Sequence, residues 1–288
     1  MTELEEKILK DIQKTGFAAE LNAVSILIAN GWDTRHSETY EDKDENKSRE
    51  IDIIASKSKY EDEYGFRFNF YLVIEVKKTE KPWIVFSTTK EMPCCGWRLL
   101  HNGINCRIKK QYAGRNTVES IFDVGCITPN DPRTNILRIG KAFHEFSKQP
   151  NEKSKIYEAL MTSCKAAKYF CSLRADMSFG DFKPDQETEL NIYLPIVILD
   201  GSPLFEVHNN YNGEIRIEEK KHIPIEMSYS SPNYKGGGWD LSFLPDIITL
   251  DNLKEHLDLL EKWRTSVLSS CSLALKEVGK QPYTTPFA

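Results

Sequence analysis

The sequence predicts an α/β fold, and three features of it point that way. Apolar residues recur at three- and four-residue spacing over the first 30 positions, the period of helices packed on one side. Runs of β-branched and aromatic residues follow, the longest being FRFNFYLVIEVKK at 66–78. IYLPIVIL at 192–199 is apolar almost without interruption, the pattern of a strand covered on both faces. With no internal repeat and no proline-rich linker, one elaborated domain accounts for all 288 residues.

Leu4, Ile8 and Ile12 set a first helix over residues 3–14. A second follows Gly16, with Phe17, Leu21, Val24 and Ile28 as its apolar stripe and Asn30-Gly31 as its stop. A first strand is expected from Trp32 to Tyr40. Residues 41–50, EDKDENKSRE, are too polar to bury and read as an exposed turn. Ile51 to Ala55 makes a short strand, the polar stretch 56–64 turns the chain, and 66–78 is the most strongly marked strand. Pro82 interrupts it, and WIVF at 83–86 resumes as another. Residues 88–150 read as an insertion between the two parts of a core at 16–86 and 151–200. Asn151 is the expected cap of a long helix whose stripe is Ile156, Leu160, Cys164, Ala167 and Cys171. Pro195 is awkward in its strand, because proline donates nothing to a ladder. The C-terminal extension, 201–288, gives short strands near 203–207, 213–218, 222–228 and 245–249 and a glycine-rich turn at 236–238. It ends in a helix capped by Asp251, with Leu253, Leu257 and Leu260 on its stripe.

Composition sets the outer limits. Forty per cent apolar and 28% charged residues exclude disorder for the chain as a whole. No apolar run nears the ~20 residues of a membrane span. The opening MTELEEKILKDIQ lacks the apolar core of a signal peptide, so a cytoplasmic protein with no membrane partner is expected. A net charge of −5 argues against a general polyanion binder but leaves room for a local basic patch. One is present: residues 93–118 carry Arg98, Arg107, Lys109, Lys110 and Arg115 and no acidic residue. Interleaved with Trp97, His101 and Tyr112, they suit phosphate contact and base stacking, or equally an ordinary solvated loop. The seven cysteines, odd in number and without a repeated CxxC, fit reduced thiols. Cys94, Cys95, His101 and Cys106 have poor zinc spacing, so buried or free thiols are the expectation there. Gly236 to Gly238 lack the following Lys and Ser/Thr of a phosphate-binding loop.

The chemistry lies in charges set among apolar residues. Glu75 and Lys77 are two apart on the most apolar strand and share a face, while Ile74 and Val76 point into packing. Buried without partners, either charge would cost several kcal/mol. Asp52 repeats the pattern inside IDII, and an antiparallel hairpin would bring it to Glu75. Two carboxylates that close repel unless a cation lies between them, and Mg²⁺ prefers such a set of carboxylate oxygens and water. Glu20, three after Phe17 and four before Val24, borders its helix's stripe and could reach the same place.

These residues, with GFAAE at 16–20, YED at 40–42, REID at 49–52, IEVKK at 74–78 and PW at 82–83, resemble the PD-(D/E)xK, or restriction-endonuclease-like, nuclease superfamily. The likeness is to a bacterial branch related to restriction and DNA-repair nucleases. It covers 16–86, and the helix and strand after 151 would complete an αβββαβ core with a mixed sheet. One departure is Ile51, standing where the family has proline before the first acid. The resemblance implies a Mg²⁺-dependent nuclease, with Mn²⁺ able to substitute, cutting double-stranded DNA to a 5′-phosphate and a 3′-hydroxyl. It implies that Asp52, Glu75 and the Val76 carbonyl hold the metal, that Lys77 orients the attacking water, and that Glu20 serves a second metal or aligns water. Lys78 would touch phosphate or lie in solvent. A restriction or anti-phage defence enzyme, a homodimer and a defence-system partner protein go with that reading. The rivals are a non-catalytic DNA-binding protein that kept the fold, and a structural subunit whose Asp52, Glu75 and Lys77 merely pair while Glu20 stays solvated. Asp42 reads as a solvated loop residue rather than a ligand.

Overall fold

A computed structural model describes residues 2–13, 15–63, 65–89, 103–107, 130–133, 136–149, 151–180, 188–210, 212–234 and 241–279. The first helices are α1 (Glu3–Ile12) and α2 (Phe17–Ala29), followed by β1 (Asp33–Asp42), β2 (Lys47–Glu61), β3 (Phe66–Lys78) and β4 (Trp83–Thr89). Then come β5 (Ile104–Arg107), β6 (Arg138–Glu145), α3 (Lys155–Gly180) and β7 (Thr188–Asp200). The chain continues with β8 (Leu204–Asn209), β9 (Ile215–Lys220), β10 (His222–Pro224), β11 (Met227–Tyr229), β12 (Leu241–Phe243) and β13 (Asp246–Thr249). It closes with α4 (Leu253–Gly279).

The result is an α/β protein with mixed sheets. Its main sheet runs β1-β2-β3-β7-β13-β10, with β5 also paired to β7. β1, β2 and β3 are antiparallel neighbours, β3, β7 and β13 run parallel, and β10 is antiparallel to β13. A second sheet, β6-β4-β8-β9, packs beside it, and β11 pairs with β12. The main sheet is covered on both sides. Its front face (Phe68, Phe70, Leu72, Ile74, Leu194, Ile196) carries α2 and α4; its rear face (Tyr71, Val73, Tyr193, Val197) carries α3 and the second sheet. This is why β7 is apolar nearly throughout. On the side of β7 away from β3, Pro195 falls between β5, whose first residue Ile104 stands opposite Ile192, and β13, whose first residue Asp246 stands opposite Ile196. Among the described residues, no strand paired on that side therefore calls for its missing N–H.

Several expectations need correction. The stripe Phe17, Leu21, Ile28 of α2 is 58–67% exposed; its buried face is Ala19, Ala23, Val24 and Leu27. Alanines let the helix axis approach the sheet, which bulkier residues would prevent. Leu4, Ile8 and Ile12 of α1 are likewise 40–67% exposed. The turn expected over 41–50 is confined to 43–46, and of the one over 56–64 residues 56–61 are strand, because cross-strand pairing carries polar residues into a long hairpin. Within 88–150, β5 joins the main sheet and β6 the second one. The long helix starts at Lys155 rather than at Asn151, and Ser154 Oγ accepts the N–H of Tyr157 at 3.2 Å as its cap. Asp251 is not a cap either: it sits inside a 3-10 turn, Leu250–Asn252, where it pairs with Lys221. Among the described residues no helix is long and apolar enough to cross a membrane.

Candidate active site

The β2–β3 hairpin does bring Asp52 and Glu75 together. Its ladder pairs Ile53 with Ile74, and just beyond it Asp52 Oδ2 accepts the backbone N–H of Val76 at 2.7 Å. A local twist prepares that contact. The β1–β2 ladder pairs His36 with Ile53 and Glu38 with Ile51 but skips Ser37 and Asp52, and Ser37 is left-handed at φ 51°. Across the skip the strand turns over, so that Ile53 packs in the front core and Ile51, two residues away, in the rear one. On β3, Ile74 and Val76 belong to the front core, whereas Glu75 and Lys77 line a cleft on the other side.

The cluster is electrostatically tense. Glu75 is 6% exposed, its Oε1 accepts from Lys77 Nζ at 2.5 Å, and among the described residues its buried Oε2 has no hydrogen-bond partner. Burial, then the Asp52 charge, push the Glu75 carboxyl up to about 7 against the pull of Lys77. Burial also raises Asp52, opposed by the Val76 N–H and by Lys77. Glu20, at the edge of the buried face of α2, is raised by burial and then by Asp52, which puts it in the same field. Burial alone would lower Lys77, but Glu75 and Asp52 hold its pKa above the usual value, so the ammonium stays charged. The three carboxylates do not gather within 4.8 Å of one another. Glu20 Oε1 lies by its own helix start, 3.6 Å from where a Cβ on Gly16 would stand.

Glu75 and Lys77 open into a cleft of 1010 Å³ between β1, β2 and α3. Its lining carries five cations (Lys47, Arg49, Lys77, Lys153, Lys165) and five acids (Asp42, Glu45, Glu50, Glu75, Glu158), so the cleft itself is close to neutral. Asp42 is not solvated as expected. Its carboxylate is buried against Lys165 Nζ at 2.9 and 3.0 Å and lies 3.1 Å from Arg49 Nε. Lys165 also reaches Asp44 at 2.8 Å. Burial would raise Asp44, but Lys165, Ser231 and Tyr229 hold it well below the usual carboxylate range. Sequence reasoning passed over Lys165 and Arg49; the available signal was a lysine set in the Cys-Lys-Ala-Ala run of a buried helix.

Of the expected phosphate contacts, Lys78 donates to the Gln13 carbonyl just past the end of α1. Arg107 ends β5, and nothing of its side chain is described; Arg98, Lys109, Lys110 and Arg115 lie outside the described residues. So do Cys94, Cys95 and His101 of the weak zinc pattern and the glycines at 236–238. Comparison with protein-family models, curated proteins and solved structures finds no match to this chain.

Proposed function

We propose that the chain is a divalent-metal-dependent nuclease with a restriction-endonuclease-like core, hydrolysing phosphodiester bonds of double-stranded DNA. The observation that carries the reading is the Asp52–Val76 hydrogen bond, which sets the half-buried Asp52 beside the buried Glu75 and the Lys77 ammonium, the last two lining a cleft. The order of elements supports it: with β4, β5 and β6 set aside as an insertion, α2-β1-β2-β3-α3-β7 matches the αβββαβ sequence of that superfamily. The donor set fits a hard cation: carboxylate oxygens, one of them buried and unbonded, with mutual repulsion that a positive charge would relieve.

Asp52, Glu75 and the Val76 carbonyl are the oxygens that would hold Mg²⁺ or Mn²⁺, with Glu20 as a further ligand or water-aligning group. Bound there, the cation supplies charge neutralisation at the phosphoryl group and makes water more acidic. Lys77, kept protonated by its acidic neighbours, orients the attacking water and donates to the charge growing on the non-bridging oxygens. The Val76 N–H fixes the Asp52 carboxylate, so one of its oxygens is held while the other stays available. The near-neutral cleft lining leaves long-range attraction for DNA to other surfaces, with Arg98, Arg107, Lys109, Lys110 and Arg115 as first candidates and Lys78 as a minor one. A restriction or anti-phage setting, with a homodimer cutting both strands and a defence-system partner, accords with this activity.

Incubation with plasmid DNA tests it. Nicking or linearisation should require Mg²⁺ or Mn²⁺, stop with EDTA, and fall at least ~100-fold in Glu75→Gln and Lys77→Met while circular dichroism stays unchanged. Cleavage that persists in both variants would remove the mechanism. The close Lys77–Glu75 ion pair favours one rival, a purely structural cluster. That rival requires calorimetry to show no divalent-cation binding that Asp52→Asn abolishes.

A further inference from the structure

A second set of metal-ligating side chains lies on the front face of the sheet, away from the cleft. His222 on β10, Asp246 on β13 and His256 on α4 each bring one ligand atom to within 4.8 Å of the others. Asp246 stands opposite Ile196 in the ladder and His222 opposite Ile248, and both isoleucines belong to the front core. His222 Nε2 lies 2.7 Å from Asp246 Oδ1, and His256 Nε2 lies 3.8 Å from Asp246 Oδ2. Asp246 and His256 are fully buried. Yet among the described residues neither ring nitrogen of His256 nor Oδ2 of Asp246 has a hydrogen-bond partner. Polar atoms left like that in an apolar core are costly, because nothing replaces the water they gave up. A packed helix could have avoided that cost with leucine.

We propose that His222, Asp246 and His256 form a zinc site that fastens the edge strand β10 and the helix α4 to the central sheet. Two imidazoles and one carboxylate make a nitrogen-rich borderline donor set, which suits Zn²⁺ and not the Mg²⁺ of an all-oxygen site. Three protein ligands leave a fourth, water-filled position, and the His222 side chain, 14% exposed, gives the way in. Arg133 stands 4.0 Å from Asp246 Oδ2, but its guanidinium gives its hydrogen bonds to Asp131, at 2.9 and 3.0 Å, and to the Leu244 carbonyl, and none to Oδ2. The other close triad, Glu206, His208 and Glu218, differs on this point: Arg138 and Lys220 already hold its carboxylates.

The proposal is independent of the nuclease reading and is tested separately. The full chain, stripped with EDTA and dialysed, is titrated with ZnCl2 against a chromogenic chelator, and with CoCl2 while the visible spectrum is recorded. One Zn²⁺ per chain is expected, with the intense absorption of four-coordinate cobalt and a rise in Tm. His222→Ala and His256→Gln should each lower zinc affinity at least ~100-fold, whereas Glu75→Gln should leave it unchanged. If His256→Gln fails to fold, the partly exposed His222→Ala decides. Absence of stoichiometric zinc binding by the parent chain, or binding that survives His222→Ala, overturns the assignment.

Discussion

Glu75 titrates near neutrality because burial and Asp52 both resist its charge. Its folded pKa, about 7, lies above the ordinary 4.5, so between those values the native chain keeps a proton that the unfolded chain has shed. Stability therefore falls as pH rises through that window, by up to roughly 3 kcal/mol, and levels off above it. Glu75→Gln should flatten this dependence and be the more stable protein at pH 8, as urea unfolding at pH 5 and 8 will show. Divalent-cation affinity should run the other way, rising through pH 7 as the proton leaves. Lys165 makes the opposite case. It neutralises a buried Asp42, and Lys165→Met leaves that carboxylate the Asp44 N–H and, among the described residues, Arg49 as its one cation. The expected cost is about 3 kcal/mol by chemical denaturation. The pairing of Asp52 with Glu75 was legible because charges interrupt apolar runs. The pairing of Asp42 with Lys165 was not, because 123 residues separate them and each sits among other charged or polar neighbours.

Elements whose pattern is set by local physics were the readable ones. Phe66–Lys78 is a strand to the residue, since aromatic and β-branched side chains on both faces leave no other option. The stripe of α3, Ile156, Leu160, Cys164 and Cys171, is buried as its spacing demands. The ends of the hairpin strands were not readable. Lys47–Glu50 and Ser56–Glu61 look like loop by composition, and only their cross-strand partners make them strand. The face of α2 was misread for a related reason: spacing cannot say whether large apolar residues or alanines meet the sheet. Junctions between elements depend on shape in the same way. A Cβ at Gly140 of β6 would stand 2.5 Å from Val85 Cγ1 and 3.2 Å from Ile225 Cγ1. Gly140→Ala should therefore cost about 1–3 kcal/mol in thermal or urea unfolding. A loss near zero would show that the two sheets can part at that seam.

On the scale of the molecule, two cores share one sheet without mixing. Leu27 of α2 is buried in the front core and Leu160 of α3 in the rear one. Leu27→Ala and Leu160→Ala should each cost about 2–5 kcal/mol, and the double variant their sum to within about 0.5 kcal/mol. A large departure from additivity would mean that β3 and β7 transmit strain between the cores.

The amino-acid sequence alone determined the α/β class, the central strands and the anomaly of Glu75 and Lys77, because each depends on neighbours within a few residues. The tertiary structure alone decided that Asp42 is buried, that α2 meets the sheet through its alanines, and that His222, Asp246 and His256 converge. Those outcomes are set by contacts between distant segments, and the physics of burial acts on such contacts only once the chain has closed.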